Sequence, residues 1–506
     1  MKIRGFLARA ACGLLLAAAT LGLTACKVNY YQFPQYNFAG RPIPPSLLAN
    51  RVMVAIANPS SFSGGELQIL DANRDIRSNV ENTIPYFMVS GYAGRVPTTI
   101  ASFPEQMFGY VYGSGDGSFT KIDYSKESAA GAVGGLPSVS DSIAVTSTVA
   151  QIYAASGAIG GVVVQDNVLG KSYALNLPGA QHVMVNPGNT VILVTQRNTN
   201  NLYRIVRLVN NVLPPPLTYT DCEPLNLPVY CVVPVQGTYA RPTGAVFSLD
   251  GSSVYVLNCG AECGDTAPAD HAGVTFLNTT KLNVNYLPVS GDASPQIGSP
   301  LTVPGGATVG LTDGVNLYLA GQELMTSSTA TGQFAQFANA TGYFTGVFSI
   351  VSLSGTPAVT SAYSIPDGTH TTMLFADDNT LWIGSTLCQT GARGYQASNI
   401  NTTPGAINLN CLAAFTLGST TAPTIVPAVS PGNPVSYPNQ NTNQYYYGDL
   451  TGICWVQNLH KVYTAYGGQI HAFYTNNLTE LNNQYITVQG TATNVVYMDA
   501  LTNAAN

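Results

Sequence analysis

An all-β chain built as a β-propeller of eight four-stranded blades is what this sequence predicts, and three observations predict it. One hairpin phrase recurs along the chain, each copy is followed by a third strand, and the two ends hold complementary pieces of one further blade. Seven blades is the alternative count. Composition agrees: among 506 residues only 9% are charged, while Gly (50), Pro (31) and Tyr (29) are plentiful. Soluble proteins usually carry about 25% charged residues. Here polar surface falls to Ser, Thr, Asn and Gln, which suits many short strands and turns. With 45% hydrophobic residues the chain can bury a large core, which argues against disorder.

The elements follow in chain order. Residues 1–25 hold Lys2, Arg4 and Arg9, no acid, and then the apolar run "GLLLAAATLGL". A basic start before a short apolar run reads as an export signal. Residues 26–50 have no helical or strand period and read as an extended tether. That reading is favoured over one in which Tyr30, Tyr31, Phe33 and Tyr36 pack on the domain or meet a partner. No later apolar stretch reaches the roughly 20 residues a membrane helix needs. From Cys26 onward, 16 basic residues face 25 acidic ones without any Lys/Arg run, so no nucleic-acid partner is expected.

The domain spans 51–506. Its repeated phrase is clearest in "QHVMVNPGNTVILVT" (181–195), "GAVFSLDGSSVYVLN" (244–258), "ATVGLTDGVNLYLAG" (307–321) and "TTMLFADDNTLWIGS" (371–385). Each joins two apolar runs through residues that tolerate the backbone angles of a tight reversal. Looser copies occupy 98–112, 142–156 and 452–466, and third strands such as "GGVVVQD", "GVTFLN" and "QIHAFYT" follow. A repeat of this kind signals stacked units, here blades. "RVMVAIAN" (51–58) and "GELQILDA" (65–72) lack a first strand, and "TNVVYMDA" (493–500) is a first strand without followers. Joining them closes the ring and removes an exposed sheet edge. The later blades carry loop insertions.

Two resemblances add to this reading. "LTAC" at 23–26 resembles the bacterial lipobox, which implies a diacylglycerol on Cys26 and a lipid anchor. Lys27, rather than Asp, favours the outer membrane, on its periplasmic or its outer side. "SLDGSSVYVLN" resembles the YVTN-type propeller repeat of lactonase-like and surface-layer proteins, and the other copies keep its turn and apolar pattern. Propellers host enzymes and scaffolds alike, so the resemblance speaks to fold.

Six cysteines form three local pairs in loop-like segments: Cys222/Cys231, Cys259/Cys263 and Cys388/Cys411. Export makes disulfides the default. A metal site from Cys259, Cys263 and His271 with Asp265 or Asp270 lacks a complete second ligand pair, so no metal is expected there. Cys454 reads as a buried thiol.

Loops leading into the innermost strands line one mouth of a propeller channel. Reading there gives Arg95, Asp141, His182, Arg241, Thr308, His370, Asp449 and Thr493. A hydrolase would use His182 or His370 as base and Arg95 or Arg241 as electrostatic partner, with Asp141 or Asp449 as the acid. A merely wet, polar mouth is the other reading. "YYYGD" (445–449) is either an aromatic platform or strand filler. No cofactor motif is present. The expectation is a non-catalytic envelope propeller that binds a protein or glycan partner, with a lactonase-like hydrolase as the alternative.

Overall fold

The computed structural model describes residue 38 and residues 40–502, apart from 59–63, 76–86, 209–212, 214–216, 219–220, 224–228, 264–271, 286–293, 327–329, 331–334, 336–341, 400–406, 429–443, 482–485, 487 and 489. The signal at 1–25, Cys26, Lys27, the tether aromatics, Asp265, Asp270 and His271 lie outside the described residues. The chain divides into two units, Met1–Pro42 and Ile43–Asn506. In the first, Arg41 N–H donates to Phe38 O at 2.9 Å. No helix among the described residues is long and apolar enough to cross a membrane.

The second unit is a ring of eight blades. Their innermost strands are Thr491–Tyr497 (blade one), Pro97–Phe103, Ser142–Val145, Ala180–Val185, Pro242–Phe247, Gly306–Thr312, Thr369–Ala376 and Leu450–Val456 (blade eight). Each touches the next, and the last touches the first. Every blade is an antiparallel sheet, and all seven anticipated hairpins form its first two strands. Blade one closes as anticipated: Thr491–Tyr497 pairs with Arg51–Ala57, which pairs with Gly65–Asp71. Blade four carries a fifth strand, Cys222–Glu223, and blade seven carries an inserted helix, Ala392–Asn399.

Alternation explains why the run "RVMVAIA" is apolar throughout. A strand sends successive side chains to opposite faces, and both faces of a blade meet a neighbour. Val52, Val54 and Ile56 pack with Cys454, Tyr463 and Ala465 of blade eight. Met53 and Ala55 pack with Val111 and Ile122 of blade two. Each fully buried aliphatic side chain of this kind contributes about 1.5–3 kcal/mol. Leu48 joins the second cluster and Ser46 Oγ donates to Glu127, so the stretch expected to be tether packs with the ring from Ile43 onward.

Turn chemistry is equally local. In blade five, Asp250 accepts from Ser252 N–H (3.0 Å) and Ser248 Oγ (2.6 Å), and Gly251 adopts φ +72. In blade seven, Asp378 and Asn379 take φ 56 and 54, the paired left-handed turn of a tight hairpin.

Three disulfides form: Cys222–Cys231, Cys259–Cys263 and Cys388–Cys411. The expectation of loop positions needs correction for the first pair. Cys222 and Cys231 face each other on adjacent strands, 4.0 Å apart at Cα, because the insertion of blade four returns to pair at its sheet edge. Cys454 is a buried free thiol, and burial pushes its pKa up.

Candidate functional site

The site begins with a backbone irregularity. In seven of the eight innermost strands the ladder slips near its start. The extra residue is Thr493, Thr98, Thr243, Thr308, Thr371 or Thr451, and blade four has Gln181 and His182 there. Such a bulge re-aims a side chain. Three of these hydroxyls use that freedom to reach the next blade. Thr243 Oγ1 donates to Ala307 O (2.8 Å), Thr308 Oγ1 to His370 O (2.7 Å), and Thr493 Oγ1 to Pro97 O. The acceptor in each case is the residue just before the neighbour's own bulge threonine. His182 stands where the other bulged strands place threonine.

A cavity of about 320 Å³ runs along the innermost strands of blades three to seven, lined by Ser142, His182, Thr243, Thr308, His370 and Thr371 among others. A second recess of about 230 Å³ lies beside it at blades four and five, where Gln181, Gln196, Arg197, Asn198 and Arg241 converge. Gln181, Thr243 and Cys263 line both. The Cys259–Cys263 disulfide closes the short 3-10 turn Gly260–Cys263, so this staple borders the mouth itself.

Electrostatics separate the two spaces. Arg197 and Arg241 are the charged residues lining the recess, and no carboxylate lines either space among the described residues. Asp141 lies beside them, ion-paired with Arg197 Nη2 (3.1 Å) and accepting from Gly157 N–H (2.7 Å). Arg241 Nη1 donates to Asn198 Oδ1 at 3.1 Å. Burial lowers the His182 pKa, Asp141 pushes it back up, and Arg197 lowers it further. Burial also lowers His370, to about 4; its bond to Pro366 opposes this, and Arg393 adds to it. His370 Nε2 lies 3.0 Å from Pro366 O. A carbonyl only accepts, so Nε2 carries the proton and Nδ1 offers a lone pair. That Nδ1 is buried and has no hydrogen-bond partner among the described residues. Both imidazoles are therefore neutral near pH 7.

The eight residues expected to form one ring split into two tiers, because the bulge places the channel-facing residue one or two positions after the turn. His182, His370 and Thr308 line the channel, Arg241 lines the recess, and Asp141 stands next to Arg197. Arg95 is exposed in blade two, and its N–H donates to Asp116 (3.1 Å). Asp449 accepts from Leu387 N–H (2.7 Å), tying blade eight to blade seven. Thr493 bonds across blades one and two. None of these three lines either space. In "YYYGD", Tyr447 is buried against Tyr466 and His471 and donates to Glu480 (2.9 Å), so it is packing rather than platform; nothing is described for the Tyr445 side chain. Arg197 and Asn198 were missed. They come from the loop between second and third strands, which reaches the same end of an antiparallel blade, and the polar run "TQRNTN" (195–200) was the signal.

No family model matches the chain, and no curated protein matches it. Solved structures do. Dihydro-heme d1 dehydrogenase NirN, in complex with DHE, is 10% identical with a TM-score of 0.50, covering 90% of this chain and 79% of that one. Hydrazine synthase of Kuenenia stuttgartiensis is 13% identical (TM-score 0.41), covering 81% of this chain and 99% of that one. A candidate 6-phosphogluconolactonase of Bacteroides fragilis is 12% identical (TM-score 0.40), with 88% and 98% covered. At such identities the likeness is one of fold: this chain is an eight-bladed β-propeller.

Proposed function

We propose that the protein is a lipid-anchored component of the bacterial cell envelope whose channel mouth binds a ligand without converting it. The anchor rests on "LTAC" and the basic, apolar segment before it. The binding reading rests on one observation: two arginines and three side-chain amides converge on a recess that opens beside a cavity lined by no carboxylate among the described residues. Arg197 and Arg241 offer forked donors suited to a carboxylate or a phosphate. The larger cavity, walled by Val183, Met184, Val246 and Leu257 between its hydroxyls, takes an apolar body. An anionic glycan end or acyl chain meets both demands.

A lactonase-like hydrolase is the second reading, favoured by the gathering of Asp141, His182 and Arg197 and by the YVTN-like repeat. Against it, Asp141 is engaged by Arg197 and Gly157, and His370 is held by a backbone carbonyl.

Thermal-shift and calorimetric titration of the full chain with a panel of carboxylates and sugar phosphates separates the two. Saturable binding, weakened at least tenfold in Arg241→Ala and without turnover, supports the proposal. Lactone hydrolysis that disappears in His182→Ala overturns it. Retention of Cys26→Ser in the membrane fraction would overturn the anchor.

A further inference from the structure

We infer that the Cys259–Cys263 disulfide is a positioning element of the anion recess. It holds Arg241 in the backbone conformation that brings its side chain to the recess, so binding there depends on the disulfide being formed. This rests on the reading of the recess as an anion site. Arg241 precedes Pro242, and a residue before proline favours extended backbone, yet Arg241 takes φ 54. A side chain in that left-handed region is kept there by its surroundings. Cys259 N–H donates to Arg241 O at 3.0 Å, and Gly260 N–H donates to Ala240 O at 2.9 Å. Arg241 N–H in turn donates to Asn200 Oδ1 at 2.9 Å. The disulfide closes back on the residue that makes the first of these bonds, and Cys263 lines both the recess and the larger cavity.

Two comparisons within the chain set this disulfide apart. First, blade two makes the same pair of bonds, Ser114 N–H to Val96 O (2.9 Å) and Gly115 N–H to Arg95 O (3.0 Å), with Val96 at φ 49 before Pro97. There Asp116 secures the loop, accepting from Arg95 N–H and Ser118 N–H, both at 3.1 Å. Ala261 stands at that place in blade five and has no side-chain acceptor, so the disulfide takes over. Second, the bridged residues are 4 apart in sequence, against 9 and 23 for the other two disulfides. A loop this short constrains the unfolded chain least, so its bridge acts on local geometry more than on global stability.

This bridge is also the most accessible of the three. Cys263 is partly exposed, whereas Cys222, Cys231, Cys259, Cys388 and Cys411 are buried. The thiolate of a dithiol can therefore attack Cys263 Sγ, breaking the bond to Cys259, which leaves as a thiolate and takes up a proton. The second sulfur of the dithiol then displaces Cys263, so two electrons pass to the protein and the dithiol ends as a disulfide.

The test is calorimetric titration of the full chain, in detergent, with inorganic phosphate. The double variant Cys259→Ser/Cys263→Ser should bind phosphate at least roughly threefold more weakly, as expected for groups coupled in one network. The unmodified chain reduced with dithiothreitol, its other two disulfides intact by mass, should show the same loss, and reoxidation should restore the affinity. In an Arg241→Ala background, removing the disulfide should change affinity no further, a result that general loosening of the blade does not give. Amide hydrogen exchange around Arg241 should quicken when the disulfide opens, a readout that needs no ligand. Unchanged phosphate affinity after opening, or additive losses in the Arg241→Ala background, overturns the inference and leaves the recess as an anion site. Phosphate binding that is absent, or indifferent to Arg241→Ala, overturns the reading of the recess and this inference with it.

Discussion

The two ends of the ring treat charge in opposite ways. At the channel mouth the Arg197–Asp141 pair is exposed, 51% and 30% at the side chains. At the far end, the Arg51–Asp499 pair is 1% and 4% exposed. Arg51 there donates through Nε and Nη2 to Asp499 and through Nη1 to Glu127 (3.0 Å) and Tyr124 O (2.6 Å). Lys461 likewise reaches Asp75 and Ala72 O, linking blade eight to blade one. Through Glu127 and Asp75, the two joints on either side of blade one thus carry charged clasps at one end. The difference teaches a division of labour. Buried, bonded charges fix the ring where it closes, and the charges at the mouth stay exposed to solvent.

The largest break in that comparison should come from Arg51→Met. It removes the guanidinium that neutralises two buried carboxylates, Asp499 and Glu127, and loss of one partner from a buried pair costs about 3–5 kcal/mol. Denaturant unfolding should show this, and a change under 1 kcal/mol would mean that the far end is not the fastening.

Next is pH. The His370 pKa falls from 6.5 to about 4 in the folded chain, so the unfolded chain takes up the proton first as pH drops. Stability is then complete above about 6.5 and is lost between there and about 4, by up to about 3 kcal/mol. The lowered pKa of His182 acts in the same direction. Asp123 and Asp313, held below the ordinary carboxylate value of 3.8 by their turn hydrogen bonds despite burial, act only at lower pH. Unfolding curves at pH 7, 5.5 and 4.5 should therefore diverge, and His370→Gln should flatten the trend.

The smallest stability effect belongs to Arg197→Ala. An exposed pair contributes about 0–1 kcal/mol, so unfolding should barely move while the carboxylate-dependent thermal shift at the mouth falls. Loss of several kcal/mol would erase the contrast between the ends.

The blades were legible in the sequence because both causes are local. Turn residues such as Asp250–Gly251 and Asp378–Asn379 announce reversals, and apolar runs announce strands covered on both faces. Closure was legible too, since Thr491–Tyr497 lacked followers where Arg51–Ala57 lacked a predecessor. The site was legible only in part. The channel-lining Thr243 is the extra residue of a one-residue slip, two positions past Arg241, and no composition reports a slip. Arg197 is not legible among the loops that lead into first strands, because its own loop joins the second strand to the third.

The seam between Thr491–Tyr497 and Arg51–Ala57 sets a timetable. Thr493 Oγ1 reaches Ala55 O at 3.1 Å across a sequence separation of 438 residues. Bringing such distant partners together is slow relative to forming local hairpins. The other blades can assemble as the chain emerges, yet blade one keeps an unpaired strand edge until its last strand arrives. During that interval the nascent ring is a horseshoe open to mispairing with a second nascent chain. Quality control of this protein therefore has a natural checkpoint: acquisition of its final strand.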